Sequence, residues 1–306
     1  MDRFTHAGRV GRVIDIPDEL IATQTEFNGE AGRAFVAALP GRAEEFLDRW
    51  GLRPDAGPAM YGMCALVLPV TADDGTPAVL KLQLLDEENA GEPVALRVWD
   101  GSGAARLLRH DAATGTMLLE RLDSSRELTT MPSRSAVLVI ADLLSRLTSV
   151  PAPPEMRRLA DIAAGMLEET PRAVRELRDP AERRLLEDCA AAVREVAAEP
   201  GDRLLHWDLH YENVLAADRE PWLAIDPKPL AGDPGFELLP ALVNRFDATQ
   251  LRWRFDAMTE VLGLDRARAR AWTLGRVLQN CLWEIEDGGR VLEAEQVEVG
   301  RRVRGW

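Results

Sequence analysis

Cysteine is scarce in this 306-residue chain: Cys64, Cys189 and Cys281 lie far apart, and no C-x-x-C pair occurs. An odd count at such spacing suggests neither a disulfide framework nor a zinc site. Three small apolar side chains in a reducing compartment account for them. Long apolar runs are missing too. No window of about 18 apolar residues exists, and Met1 to Ile16 lacks an apolar stretch of signal-peptide length, so a membrane span or an export signal is not expected. Positive charge is in the minority, with 37 Lys and Arg against 51 Asp and Glu, a net charge of −14 and a pI near 4.9. Such a surface repels nucleic acid and anionic membranes. It is compatible with a cationic substrate, although solubility alone explains an acidic balance equally well.

The hydrophobic fraction of 46% is ordinary, and the length suits one two-lobed domain or two small ones. Residues 1–28 read as a loose leader. From Glu30 to Trp50 the apolar residues recur at helical spacing, and Pro40-Gly41 is expected to break them into two helices. Tyr61 to Val70 and Pro77 to Leu84 then read as strands joined by a turn at Asp73-Asp74-Gly75. Asp86 to Trp99 reads as a helix, and Ala104 to Arg109 with Thr116 to Leu122 as a second strand pair. The first part is thus β-β-α-β-β, an α+β lobe with an antiparallel sheet. After Leu122, helical periodicity dominates over Arg134–Leu147, Glu155–Glu169 and Pro180–Ala198. A compact non-helical stretch follows from Arg203 to Pro234, and helices resume near Gly235.

That non-helical stretch carries the chemistry. His206, Asp208 and Asn213 form H-x-D-x-x-x-x-N, the spacing of a phosphoryl-transfer loop. Such a loop needs a carboxylate to take the proton of an acceptor hydroxyl, and oxygen ligands for a magnesium ion that neutralises the phosphates. Asp208 fits the first role and Asn213 supplies a carbonyl oxygen. Asp226, at the end of the apolar run Leu223-Ala224-Ile225, supplies a second metal ligand after a hairpin. The motif alone is a weak signal; the hairpin and the second aspartate make it strong. His206 is expected to prop the loop, and His210 either to do the same or to line the acceptor site.

Lys81 is the sole lysine among residues 1–122 and sits in Ala78-Val79-Leu80-Lys81. On a strand it shares a face with Val79, so its ammonium can hold nucleotide phosphates while Val79 packs on the base. A carboxylate must fix such a lysine. Glu88 and Glu92 are both candidates, Glu92 the preferred one. Backbone groups of a hinge at Glu120-Arg121-Leu122 would pair with adenine. The first hairpin strand offers only Gly62 in place of a glycine-rich loop.

Leu205–Leu215, Trp222–Phe236, Thr116–Leu122 and Trp272–Gly288 together resemble the aminoglycoside phosphotransferases. The match is to the streptomycin 6-phosphotransferase branch that also holds hydroxyurea phosphotransferases. The resemblance spans roughly residues 30–290 and implies a protein-kinase-like two-lobed fold. A small antiparallel-sheet N-terminal lobe over 1–122 would bind nucleotide, and a larger, mainly helical lobe over 123–306 would hold the acceptor. It implies ATP and Mg²⁺ as cofactors and a cytoplasmic monomer with no nucleic-acid or membrane partner. The γ-phosphate would pass to the 6-hydroxyl of streptomycin. Asp208 carries over as base, Asn213 and Asp226 as metal ligands, and Lys81 as phosphate ligand. Two departures stand out: Tyr61-Gly62-Met63-Cys64 replaces a small polar nucleotide loop, and Lys228 adds a cation beside the metal site. Streptomycin carries two guanidinium groups, for which Asp233, Glu237, Glu284, Glu286 and Asp287 are candidate carboxylates. Trp283 and Trp207 are candidate stacking surfaces. For each alone, a cap, a solvated face or a core aromatic is the plainer account. Other acceptors, including hydroxyurea, and a non-catalytic drug binder are the competing functions.

Overall fold

The computed structural model describes residues 14–306, so the leader before Ile14 lies outside the described residues. Helix α1, Asp18–Trp50, begins inside the segment that the sequence suggests is a loose leader. Its break falls at Gly29, not at the expected Pro40-Gly41. Gly29 has φ 52° and ψ −122°, a backbone state that glycine enters without a Cβ penalty. Pro40 stays within the helix on an exposed stretch, where water can hydrate the carbonyl its missing N–H leaves free. Past Gly29, α1 buries Phe35, Leu39, Ala43 and Phe46 against the sheet.

That sheet comprises β1 (Leu52–Pro54), β2 (Met60–Tyr61), β3 (Ala65–Ala72), β4 (Pro77–Gln83), β5 (Leu107–Asp111) and β6 (Thr116–Glu120). Its order is β1-β3-β4-β6-β5, antiparallel throughout, with β2 beside β3. Alternation along β4 puts Ala78, Leu80 and Leu82 in the core under α1 and turns Val79 and Lys81 to the other face. Arg121, just past β6, ties the sheet's ends: its guanidinium donates to the carbonyls of Ala78 and Val70 and pairs with Asp55. Leu80 is fully buried. Leu80→Ala should therefore cost about 2–5 kcal/mol of stability, the range for such cavities, read as a lower urea midpoint at unchanged slope.

The chain packs as two units. One runs up to Leu85 and includes Leu107–Arg121; the other comprises Asp86–Arg106 and Leu122–Trp306. Helix α2, Glu92–Trp99, belongs to the second unit and is shorter than the periodicity from Asp86 suggests. The Asp86 carboxylate accepts the N–H groups of Glu88 and Asn89, each at 2.8 Å, and so closes a turn ahead of the helix. Strand β7, Asp123–Glu127, follows in a stretch to which the sequence assigns no element. Its polar residues lack alternation, and it is a strand because it pairs, with a register shift, with β9 (Val214–Ala216). Between them run α3 (Ser133–Leu147), α4 (Leu159–Glu176), α5 (Pro180–Val196) and β8 (Arg203–Leu205). Beyond β9 come β10 (Trp222–Ala224), β11 (Leu230–Gly232), α6 (Leu239–Val243), α7 (Leu251–Leu262), α8 (Arg266–Glu286) and α9 (Ala294–Arg304). Two small antiparallel sheets, β10-β9-β7 and β11-β8, frame the motif-bearing segment. Helix α8 runs through the core, burying Trp272, Val277, Leu278 and Cys281. No described helix is long and apolar enough to cross a membrane.

Candidate active site

Strand β8 delivers the chain into the loop that starts at His206. The loop's backbone is held from below by Glu237, whose fully buried carboxylate accepts the N–H of His206 at 2.5 Å and of Trp207 at 2.9 Å. Burial pushes this carboxyl up to about 7, against the two N–H bonds that favour its charged form. Trp207 adopts φ 68°, rare for a bulky side chain. Its buried ring is packed under the guanidinium groups of Arg157 and Arg276, each 4.6 Å from the ring centre. Cation–π contacts and the Glu237 clamp thus hold a strained residue immediately before Asp208.

His206 lies on the inside of the same loop. Its Nε2 donates to the Ile225 carbonyl at 3.0 Å, its Nδ1 accepts the Asp208 N–H at 3.4 Å, and its ring stacks on Trp99. Burial pushes its pKa down to about 4, so it stays neutral and links the loop to the β10 end as a brace. The hairpin of β9 and β10 returns the chain beside the loop. Ile225 N–H donates to the Asn213 carbonyl at 3.0 Å, and the Asn213 amide nitrogen donates to the Asp208 carbonyl at 2.9 Å. Arg219 anchors the hairpin to the carbonyls of Gly101 and Ala104. Asp226 follows at φ 56°.

These bonds bring Asp208, Asn213 and Asp226 into one neighbourhood of the second unit. Asp208 is partly exposed; Lys228 Nζ lies 3.4 Å from its Oδ2, and His210 Nε2 lies 4.0 Å from the same oxygen. With its nitrogen spent on the loop, Asn213 keeps its Oδ1 for a cation. Among the described residues no cluster of three or more His, Cys, Asp or Glu could hold a metal alone. The Asn213 amide oxygen and the Asp226 carboxylate are donors of the type that Mg²⁺ takes together with phosphate oxygens and water.

Beside Asp208 opens a cavity of about 250 Å³, lined by His210, Asn244, Arg276, Asn280, Glu293, Glu295 and Gln296 among others. Asn244 Oδ1, Asn280 Oδ1 and Gln296 Oε1 are buried with no hydrogen-bond partner among the described residues.

In the first unit, Lys81 is buried on β4 between Val67 of β3 and Met117 of β6. Val79 lies on the same face, and Glu120 ends β6, with Leu122 two residues on. Glu92 is buried at the start of α2, whereas Glu88 is half-buried in the preceding turn, so the two are not one helical turn apart.

The model of the aminoglycoside/hydroxyurea antibiotic resistance kinase family matches residues 49–288. The chain belongs to this family. The kinase is 64% identical over 300 residues to a hydroxyurea phosphotransferase of Kitasatospora aureofaciens, covering 97% of this chain and 88% of that protein. It is 56% identical over 303 residues to a streptomycin 6-kinase of Streptomyces glaucescens, covering 96% and 98%. A solved thermostable mutant of an aminoglycoside phosphotransferase, in ternary complex with ADP and hygromycin B, superposes with a TM-score of 0.56. It is 13% identical and covers 86% of this chain and 95% of that one. The fold is protein-kinase-like, and the chain is an ATP-dependent phosphotransferase acting on a hydroxyl.

The structure removes Glu237, Asp233 and Trp207 from the acceptor side and locates the other candidates. Glu237 cannot meet a ligand, because it is sealed under the loop. Asp233 is nearly buried, caps Gly235 at 2.8 Å and pairs with Arg268 at 2.5 Å. Glu284 accepts the Glu293 N–H at 3.0 Å and so braces the turn into α9, while Asp287 is the exposed cap of α8. Trp283 packs edge-on against Trp207 at 5.8 Å and under Arg276, yet keeps 38% of its exposure. Trp207 is buried against the protein's own guanidinium groups. Glu293, Glu295 and Gln296, absent from the sequence-based candidates, line the cavity instead. The local cue was the Gly288-Gly289 break followed by an acidic helix start.

Proposed function

We propose that this kinase transfers the γ-phosphate of ATP to a hydroxyl of streptomycin, at the 6 position, and so confers resistance. The observation that carries the acceptor class is the cavity beside Asp208, lined by the carboxylate residues Glu293 and Glu295 and by Asn244, Asn280 and Gln296. Such a lining suits a cationic ligand rich in N–H donors, as guanidinium groups are. The 56% identical streptomycin 6-kinase supports the same reading.

In the transfer, Asp208 takes the proton of the acceptor hydroxyl as its oxygen bonds to the γ-phosphorus. The bond from phosphorus to the bridging oxygen breaks, and ADP leaves with that electron pair. Lys81 supplies an ammonium for the nucleotide phosphates. Asn213 and Asp226 would hold Mg²⁺, which supplies charge neutralisation when bound. We place the reaction in the cytoplasm, on a monomer.

A second reading rests on the 64% identical hydroxyurea phosphotransferase: the N-hydroxyl of hydroxyurea as acceptor. ADP release with streptomycin, with hydroxyurea and with other aminoglycosides, alongside mass spectrometry of each product, separates the two. Drug-dependent ADP and a product heavier by one phosphoryl group are expected with streptomycin. Turnover with hydroxyurea alone overturns the first reading, and binding without ADP release overturns both.

A further inference from the structure

We propose that Lys228 is a catalytic residue of the transfer step, an ammonium that contacts the transferring phosphoryl group from the acceptor side; this rests on the phosphotransferase reading above. Lysine occurs at only two of 306 positions, Lys81 and Lys228, and every other basic side chain among the 37 is arginine. Arginine's planar fork suits bidentate pairing, whereas lysine is a compact point charge with three rotatable donors. A chain that meets its other cationic needs with arginine keeps lysine at two places, both beside residues of the phosphoryl-transfer motifs.

The backbone at Lys228 is built to a fixed position. Pro227 and Pro229 flank it and lock φ on either side. Its N–H donates to the His206 carbonyl at 3.0 Å, strapping this segment to the catalytic loop. The side chain keeps 30% of its exposure, so it is not an internal brace like Arg276, which is only 7% exposed. Its ammonium lies 3.4 Å from Asp208 Oδ2, and the Asp226 and Glu88 carboxylates also act on it. A long, partly exposed ion pair of this kind contributes little to stability, so stability does not explain a cation placed against the base.

Chemistry does. As the acceptor oxygen bonds to the γ-phosphorus and ADP departs with its electron pair, negative charge spreads over the non-bridging oxygens. The proton passes to Asp208. An ammonium adjacent to that carboxylate can donate to a non-bridging oxygen without forming or breaking any covalent bond, and it acts where charge develops. It also offsets the repulsion between the charged base and the incoming phosphoryl group.

The test compares Lys228→Met and Lys228→Arg with the wild type in full-length enzyme. For Lys228→Met, kcat should fall about 10²-fold, as for loss of one charge-stabilising donor. KM for each substrate, the calorimetric Kd of an ATP analogue and the half-saturating Mg²⁺ concentration should each stay within about threefold. Lys228→Arg should fall between the two, because it keeps charge but not shape. Slow ATP hydrolysis without acceptor should drop by the same factor, since water then replaces the hydroxyl. That readout decides the role of Lys228 even if the wild type turns over none of the proposed acceptors, an outcome that would sink the acceptor reading alone. Lys228→Gln carries the same test if the methionine variant melts early. A kcat kept within about threefold, or a loss confined to KM or Kd, would overturn the proposal.

Discussion

Asp208→Ala is expected to lower kcat about 10²–10⁴-fold, the usual worth of a positioned general base, with little change in the affinity for ATP. The effect should be confined to the chemical step. The loop around Asp208 is held by groups other than its carboxylate: Glu237 binds the two preceding N–H groups, and Asn213 binds the Asp208 carbonyl. The Asp208 side chain itself is partly exposed, and its contacts are long ones, with Lys228 at 3.4 Å and His210 at 4.0 Å. Removing it therefore leaves the scaffold standing, and the thermal midpoint should stay near that of the wild type. Asp226→Ala should cost at least as much, because two protein oxygens are already a minimal set for Mg²⁺. Unlike Asp208→Ala, it should raise the Mg²⁺ concentration needed for half-maximal rate. Steady-state ADP release across a magnesium titration checks both. An Asp208→Ala enzyme with more than about a tenth of wild-type kcat would remove Asp208 from the role of base.

What the sequence made legible was local, and what it hid was tertiary. The H-x-D-x-x-x-x-N spacing, the hairpin and Asp226 all lie within about twenty residues, where turn chemistry and chain reach restrict the outcome. Alternation placed Lys81 and Val79 on one face of β4 for the same reason. Glu237 stands among the candidate ligand carboxylates because nothing near it in sequence shows that it lies under the His206–Trp207 backbone 30 residues away. Strand β7 has the composition of a loop and becomes a strand through its pairing with β9. The sequence suggests a break in α1 at Pro40-Gly41, yet an exposed proline can be hydrated, and Gly29 is the glycine within α1 that adopts a positive φ. The cavity residues Glu293 and Gln296 belong to no motif. The packing of α9 against α5, α6, α7 and α8 places them near Asp208.

The Glu237 clamp leads to the second large effect, a change in how stability depends on pH. His206 titrates near 4 in the folded chain against 6.5 ordinarily, and Glu237 near 7 against 4.5. Between about pH 4 and 6.5 the unfolded chain binds more protons at His206, so this residue makes stability fall as pH falls. Between about pH 4.5 and 7 the folded chain binds more protons at Glu237, so this residue makes stability rise as pH falls. Each contribution is roughly 3 kcal/mol over its window, and the two nearly offset between pH 4.5 and 6.5. Glu237→Gln removes one arm. Its amide can accept only one of the two loop N–H groups and turns an NH₂ toward the other, costing about 1–3 kcal/mol at neutral pH. With the rising arm gone, its stability should then fall by roughly 3 kcal/mol more from pH 6.5 to 4. His206→Gln should show the reverse slope, gaining stability from pH 7 down to 4.5. Urea unfolding at half-unit pH steps measures all three proteins. Parallel profiles for wild type and Glu237→Gln would mean that the buried carboxylate does not change its protonation on folding, and that the loop is held by a permanently charged clamp.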